Sequence, residues 1–141
     1  MPIKYFSEQI TFNLKDKIKL RTWIIDSVKN ESRKPGSINF IFTSDENILN
    51  INKEYLSHDN FTDIITFNYC DDDVVNGDIF ISIDTVKNNS ERFDVSFINE
   101  LHRVMIHGVL HLVGYDDKND DQKKIMKEKE NEYLERFKNL F

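Results

Sequence analysis

The segment that most restricts the fold and chemistry of this chain lies in its last third and reads His107-Gly-Val-Leu-His111-Leu-Val-Gly114-Tyr-Asp-Asp117. Residues four apart share one face of a helix, so both imidazoles can reach a single ion. A glycine at position 114 can take a left-handed conformation that ends the helix and turns Asp117 back toward the histidines. The pattern therefore predicts three protein ligands with one open position, which is typical of catalytic zinc.

Two simpler explanations stand beside this metal site. Histidine pairs at this spacing also occur on helices that bind no metal, and Asp117 could cap the next helix in competition with Asp116, Asp120 and Asp121. The glycine and the carboxylate at a fixed offset favour the metal site. We expect one Zn²⁺ per chain, held by His107, His111 and Asp117, although this ligand set also suits nickel, iron or manganese.

The spacing is similar to that of the metzincin peptidases, but the chemistry differs at one position. In those enzymes a glutamate directly follows the first histidine and activates the zinc-bound water. Here the corresponding residue is Gly108. The motif thus predicts a metal site without the proton acceptor of a peptidase, which disfavours proteolysis.

Hydrophobic periodicity predicts strands and helices along the whole chain. Strands are predicted over residues 7–13, 37–43, 63–69 and 78–83. Helices are predicted over residues 14–30, from Ser44 or Asp45 to about 56, from Asp84 or Thr85 to 92, over 96–113 and over 118–141. Pro35-Gly36 and Asn76-Gly77 are predicted to break the chain. This order predicts an α+β fold with a single mixed four-stranded sheet, about four or five helices and a metzincin-like metal-site helix at 96–113.

Composition limits the remaining classes. A length of 141 residues suits one domain spanning 1–141, and the only cysteine, Cys70, forms no intrachain disulfide. No apolar run approaches the length of a signal peptide core or a membrane span, so we expect a cytoplasmic protein without membrane association. The net charge of −6 disfavours general nucleic-acid binding. Basic side chains nevertheless outnumber acidic ones in residues 1–43, which indicates either a basic binding surface or a solvated helix face.

The segment from His107 to Asp117 resembles the signature His-Gly-x-Leu-His-Leu-x-Gly-Tyr-Asp-His of the YbeY family, the bacterial endoribonucleases of rRNA maturation. Further matches follow in the same order along the chain: Leu49-Asn50 with Tyr55, the segment 62–67, the segment 77–82, Glu100-Leu101, and Met126 with Glu130. The resemblance covers about residues 49–134. It implies a zinc-dependent, single-strand-specific endoribonuclease of rRNA maturation and ribosome quality control, with single-stranded RNA and ribosomal particles as partners.

The chain departs from the family pattern at two positions. Asp117 stands where the family has a third histidine, and a carboxylate there can still bind zinc but lowers the Lewis acidity of the ion. Leu56 stands where the family usually has an arginine. The resemblance implies that this arginine contacts phosphate or takes part in catalysis. We predict that Arg103, one turn before His107, supplies this charge as the catalytic residue. An ion pair with a carboxylate such as Glu100 explains Arg103 equally well.

The remaining polar residues have simpler interpretations. Glu100 could orient a ligand or accept a proton, although pairing with Arg103 is the simpler expectation. His102 and His58 are expected to be ordinary polar residues, and Asp63 is expected to cap a strand. The basic first helix is the candidate RNA-facing surface. Two alternatives to the nuclease are a ribosome-assembly factor that binds with a structural metal site and, less favoured, a metallopeptidase.

Overall fold

The computed structural model describes residues 3–55 and 64–141. Along this part of the chain the elements follow one another as β1 (Ile3–Ser7), α1 (Lys17–Asn30), β2 (Lys34–Thr43), α2 (Asp45–Tyr55), β3 (Ile64–Asn68), β4 (Val74–Ser82), α3 (Ile83–Arg92), α4 (Phe97–Val113) and α5 (Asp120–Leu140). The prediction of an α+β fold with one mixed four-stranded sheet is confirmed, with five helices among the described residues. None of these helices combines the length and the apolar character that a bilayer crossing requires.

The sheet has the strand order β1-β2-β4-β3. β1 and β4 both run parallel to β2, while β3 pairs antiparallel with β4. α4 packs on β3 and β4 and contacts α1 and α5, and this layer contains the main apolar core around Trp23, Phe40 and Met105. A smaller apolar cluster, Ile48, Ile51 and Ile65, lies between α2 and β3.

The predicted position of the first strand is wrong. The strand covers Ile3–Ser7, because Ile3 is buried and the register runs from Ile3 opposite Ile38 to Ser7 opposite Phe42. Gln9, with φ 61°, turns the chain away from the sheet, although Phe12 still packs on Phe42. α1 likewise begins at Lys17 rather than at residue 14, since Asp16 has φ 60° and precedes the first helical residue.

The predicted turn at Asn76-Gly77 is also wrong. Both residues lie inside β4, and the chain reverses at Asp71–Asp73, where Asp71 and Val74 exchange backbone hydrogen bonds of 3.1 and 2.9 Å. Asn76 accepts a hydrogen bond from the Ser37 amide with its side chain, at a β-bulge between Pro35 and Ile38 of β2. The predicted break at Pro35-Gly36 is therefore a bulge within a longer strand.

Gly108 allows α4 to lie close against the sheet. A Cβ atom at this position would lie 2.8 Å from Ile64 Cδ1 and 2.8 Å from Ile79 Cγ2, and Ile79 is fully buried. The glutamate that peptidases carry at this position of the motif would have no room here. Gly108, which stands where the peptidases carry their catalytic glutamate, is thus required for the close packing of α4 on the sheet.

We expect Gly108→Ala to lower the free energy of unfolding by about 1–2 kcal/mol, because the cost of overpacking a closed helix–sheet contact outweighs the gain of about 0.5–1 kcal/mol from placing alanine in a helix. Urea denaturation followed by circular dichroism measures the change. Asn88→Ala, at an exposed position of α3, serves as the control and should stay within about 0.5 kcal/mol. Equal stability of the wild type and Gly108→Ala would contradict the tight packing.

Candidate metal centre

α4 brings the two predicted histidines together at its C-terminal end. Ser96 begins the helix by accepting a hydrogen bond of 3.0 Å from the Asn99 amide, and the following turns are largely buried. His107 and His111 lie one turn apart with ring centroids 4.6 Å from each other. Their Nε2 atoms face each other at 3.0 Å, and about a fifth of each side chain is exposed. Both imidazoles therefore direct a nitrogen at the same point near the surface.

Gly114 and the turn after it bring Asp117 to the histidines. Gly114 has φ 125° and ends α4, as the sequence predicted. The Oδ2 atom of Asp117 lies 3.4 Å from His107 Nε2 and 3.4 Å from His111 Nε2. The cap of α5 is Asn119, whose side chain accepts a hydrogen bond from Gln122. The alternative role of Asp117 as the helix cap is therefore wrong.

The three donor atoms fit a zinc ion. Zinc–ligand bonds of 2.0–2.1 Å in tetrahedral geometry place neighbouring donors about 3.3 Å apart. The observed separations of 3.0, 3.4 and 3.4 Å are close to this value, and the three groups lie within 4.8 Å of one another. Burial and the neighbouring His107 lower the pKa of His111, although Asp117 opposes the shift. A neutral imidazole keeps the lone pair that a metal requires.

Glu130 of α5 completes the surroundings of His107, and sequence reasoning did not assign it to the site. Its Oε2 atom lies 2.6 Å from His107 Nδ1, and its Oε1 atom accepts 2.9 Å from Arg103 Nη1. Because an ionised carboxylate only accepts hydrogen bonds, Nδ1 carries a proton toward Glu130, and Nε2 is the nitrogen that faces Asp117 and His111. The sequence did contain a signal for this role, because Glu130 is an acidic residue that lies four residues after the buried Met126, on the apolar face of α5.

Arg103 faces the same region, but its guanidinium group has partners on α5. Nη1 donates to Glu130, and Nη2 donates 2.8 Å to Asn131 Oδ1. Arg103 thus forms an ion pair with Glu130 of α5, whereas the carboxylate suggested from the sequence, Glu100, belongs to α4. Arg103 is linked through Glu130 to His107, and its catalytic role stays a prediction.

The turn that carries Asp117 is anchored by residues that follow α1. Arg33 Nη2 donates 2.5 Å to the carbonyl of Val113, and the Tyr115 hydroxyl donates 2.7 Å to Glu31 Oε1. The other carboxylate oxygen of Glu31 accepts from the Tyr133 hydroxyl and, at 3.4 Å, from Lys129. These contacts hold the chain on both sides of Gly114. The position of Asp117 therefore depends on the α1–β2 connection as well as on its own helix.

Glu31 makes the free energy of unfolding depend on pH in the acidic range. Burial alone raises the pKa of Glu31, but hydrogen bonds from Tyr133 and Tyr115 and the charge of Lys129 outweigh it, so the net pKa is lowered. A depressed carboxylate pKa contributes stability that is complete above the unfolded value of about 4.3 and is lost as the pH falls through the folded value.

We therefore expect Glu31→Gln to lower the free energy of unfolding at pH 7, by about 1–3 kcal/mol for a mostly buried charged hydrogen-bond acceptor. The difference from the wild type should shrink as the pH falls below about 4.3. Urea unfolding at several pH values between 7 and 3 measures it, with Glu91→Gln on the exposed face of α3 as control. A difference that is constant over this range would argue against the Glu31 contacts.

The other residues singled out in the sequence are distributed around this centre. Glu100 is buried, with 5% exposure, in the wall of the cavity beside the cluster. His102 is buried between the rings of Trp23 and Phe137, at centroid distances of 5.9 and 5.0 Å, as expected for a histidine without a ligand role. His58, Asp63 and Leu56 lie outside the described residues.

Two lysines of the first helix lie at the end of α1 that is remote from Tyr115 and the turn before Asp117. Lys17 and Lys19 occupy the first turn of α1. Glu31, the residue after its last turn, accepts a hydrogen bond from Tyr115 in the turn that leads to Asp117. At 1.5 Å per residue the length of α1 separates these ends by about 20 Å. The predicted RNA-facing surface at the start of α1 is therefore about 20 Å from the residue that contacts Tyr115.

A cavity of about 480 Å³ opens directly beside the cluster. His107 and Asp117 form one end of it, and Arg103 and Glu130 lie along its wall. The volume is within the range of small-molecule and nucleotide-sized sites. The cluster is therefore accessible to a substrate from this side.

The fold and the site together define a class: an α+β protein whose sheet supports a long helix ending in a His-His-carboxylate cluster. Comparison with known proteins narrows this class to one family. The model of the family described as Endoribonuclease YbeY matches residues 3–138, and the chain belongs to this family. The match extends the resemblance seen in the sequence, which covered about residues 49–134, to the N-terminal third of the chain.

Relatives of this family are similar over nearly the whole chain. Endoribonuclease YbeY of Parabacteroides distasonis is 45% identical over 95% of this chain and 94% of its own length. Its counterpart in Bacteroides thetaiotaomicron is 44% identical over 95% of this chain and 98% of its own length. The solution structure of TM1509 from Thermotoga maritima is 32% identical, with a TM-score of 0.66, and covers 96% of this chain and 88% of its own.

Proposed function

We propose that this protein is a zinc-dependent endoribonuclease that cleaves single-stranded RNA in rRNA maturation and ribosome quality control. His107, His111 and Asp117 would hold one zinc ion per chain. The observation that carries the proposal is the convergence of these three donor atoms in a member of the endoribonuclease YbeY family. Ribosomal particles would be its partners and the cytoplasm its location.

The chemistry assigned to each residue follows from its contacts. A bound zinc ion supplies a Lewis acid next to a phosphodiester. His107 and His111 would each offer an Nε2 atom to it, and Glu130 keeps the His107 ring in one orientation through the 2.6 Å contact. Asp117 adds a negative charge, so the centre is less electrophilic than one with three histidines. Arg103 would add positive charge beside the phosphate.

The proposal is tested by incubating purified protein with a single-stranded RNA, a fully paired RNA and an unstructured protein. Each substrate is treated with zinc-loaded, chelator-treated and zinc-restored protein, and the metal content of the purified protein is measured. We expect cleavage only of the single-stranded RNA, lost with the chelator and recovered with zinc. Cleavage that persists in chelator, or cleavage of the protein substrate, would contradict the proposal.

A second function is favoured by the contacts of Arg103. Because its guanidinium group is bound to Glu130 and Asn131, an arginine that neutralises phosphate charge must first leave these partners. A ribosome-assembly factor that binds particles, with the metal holding the cavity in shape, requires no such step. Intact RNA together with retained, metal-dependent sedimentation with ribosomal particles would favour this second function over the nuclease.

A further inference from the structure

The cavity beside the cluster continues away from it as a groove with three walls. α4 provides one wall and α5 the second, and the turn between α3 and α4 closes the far end. The lining residues beyond the cluster that matter here are Phe93, Val95, Lys123, Met126 and Lys127. At 1.5 Å per residue, the wall of α4 from His107 back to Asn99 extends about 12 Å. The groove is thus long enough for a nucleotide beside a phosphate at the cluster.

The far end of the groove has an apolar surface with an exposed aromatic ring. Phe93 is 56% exposed and Val95 is 39% exposed, while Met126, which lines the same cavity, is buried. The Arg92 guanidinium lies 5.4 Å from the centroid of the Phe93 ring and adds a positive charge there. A single exposed phenylalanine is ordinary, but one that lines a groove leading to a metal-competent cluster offers a stacking surface.

Two lysines line the groove on the α5 side. Lys123 and Lys127 are four residues apart, so they project from the same face, and both are exposed. Within the described parts of the chain neither forms an ion pair. Other lysines of the same helix do, since Lys129 contacts Glu31 and Lys138 contacts Glu135. These two cations are therefore available to a phosphate, in a cavity whose lining also carries Arg103 and the carboxylates of Glu100, Asp117 and Glu130.

We infer that this groove binds one nucleotide of a single-stranded RNA next to the cleaved bond. The base packs on Phe93 and Val95, and Lys123 and Lys127 contact its phosphate. The inference rests on the proposed RNA substrate. Stacking on a phenylalanine does not distinguish the bases, so the groove accepts any base but needs one. A paired strand cannot offer its base face to Phe93, which gives a structural reason for a preference for single strands.

The test is binding of a fluorescent single-stranded RNA to the zinc-loaded protein, followed by anisotropy at low temperature, with the RNA sized after each titration. A set of oligonucleotides carries one abasic residue at successive positions. We expect one position at which the missing base weakens binding about 5- to 100-fold. Phe93→Ala should weaken binding of the intact RNA by a similar factor and remove the effect of the abasic position, and Phe93→Leu should be intermediate.

The lysines are tested through the salt dependence of the same binding. Each phosphate contact on a single strand contributes about 0.7 to the slope of log K against log salt, so Lys123→Ala/Lys127→Ala should lower the slope by about 1.4. Lys124→Ala, an exposed neighbour that does not line the groove, and Tyr69→Ala, an exposed aromatic near a different cavity, are the controls. Both controls should bind RNA as the wild type does.

The outcomes separate this inference from the proposed nuclease. If the wild type cleaves RNA with zinc but Phe93→Ala and the double lysine variant bind RNA normally, the groove is not a nucleotide site and the nuclease stands. If the abasic effect is present and depends on Phe93 while no RNA is cleaved, the groove is supported and the nuclease fails. Equal binding of intact and abasic RNAs by the wild type overturns the inference.

Discussion

Replacing Asp117 with alanine is expected to weaken zinc binding by more than about 100-fold and to abolish metal-dependent RNA cleavage. Loss of a residue that only orients a metal ligand already costs about 10- to 100-fold. Asp117 contributes a donor atom 3.4 Å from both imidazole nitrogens, so its removal leaves two ligands on one helix. Competition with a chromophoric chelator measures the affinity without relying on activity.

Asp117→His distinguishes the need for a ligand from the need for a charge. A histidine restores a nitrogen donor and raises the net charge of the centre by one, so zinc binding and cleavage should both be retained. Asp121→Ala, at an exposed carboxylate in the first turn of α5, should bind zinc as the wild type does. Unchanged zinc affinity in Asp117→Ala would exclude Asp117 as a ligand.

The parts of the fold that the sequence predicted best are those with a strong local signal. α4 was predicted to within one residue, because Ser96 supplies a cap at its start and Gly114 a helix end with positive φ. The three candidate ligands were also brought together as expected, since their spacing is set by one helical turn and one helix-ending glycine. Both features depend on geometry within a single short segment.

The wrong predictions of strands and turns lie where strand pairing or helix packing outweighs the local sequence pattern. Asn76-Gly77 has the composition of a turn, yet β4 continues through it because Gly77 lies under Leu112 of α4, where a Cβ atom would come within 2.7 Å of the leucine side chain. The first strand was misplaced because its partners lie 35 residues further along the chain, at Ile38 to Phe42. Neither the contact of Gly77 with Leu112 nor the pairing of the first strand can be predicted from a short segment of the sequence.

The same reasoning explains why the surroundings of the cluster were missed. Glu130 reaches His107 from a position 23 residues away, and Glu31 reaches Tyr115 from a position 84 residues away. Spacing rules relate residues within one helix or turn, whereas these contacts exist only after α1, α4 and α5 have packed together. The grouping of the three candidate ligands could therefore be predicted from the sequence, but the residues that contact them from other helices could not.

Glu130→Gln is expected to lower zinc affinity and RNA cleavage by about 10- to 100-fold, because the substitution removes the charge that orients His107 and pairs with Arg103. Glutamine has nearly the same shape, so the effect reports on charge and hydrogen bonding. Chelator competition and single-turnover cleavage measure the two losses. Glu128→Gln, the same substitution at an exposed position of α5, should change neither.

Arg103→Met, combined with Glu130→Gln, decides how Arg103 acts. If Arg103 works only by holding Glu130, its loss should weaken zinc binding no more than Glu130→Gln does, and the double variant should resemble Glu130→Gln alone. If Arg103 instead contacts the RNA during cleavage, Arg103→Met should slow the single-turnover rate with zinc affinity unchanged, and the two losses should multiply. The proposed role of Arg103 beside the phosphate leads us to expect the second result, whereas strongly non-additive losses would make Arg103 a residue that only positions Glu130 through their 2.9 Å contact.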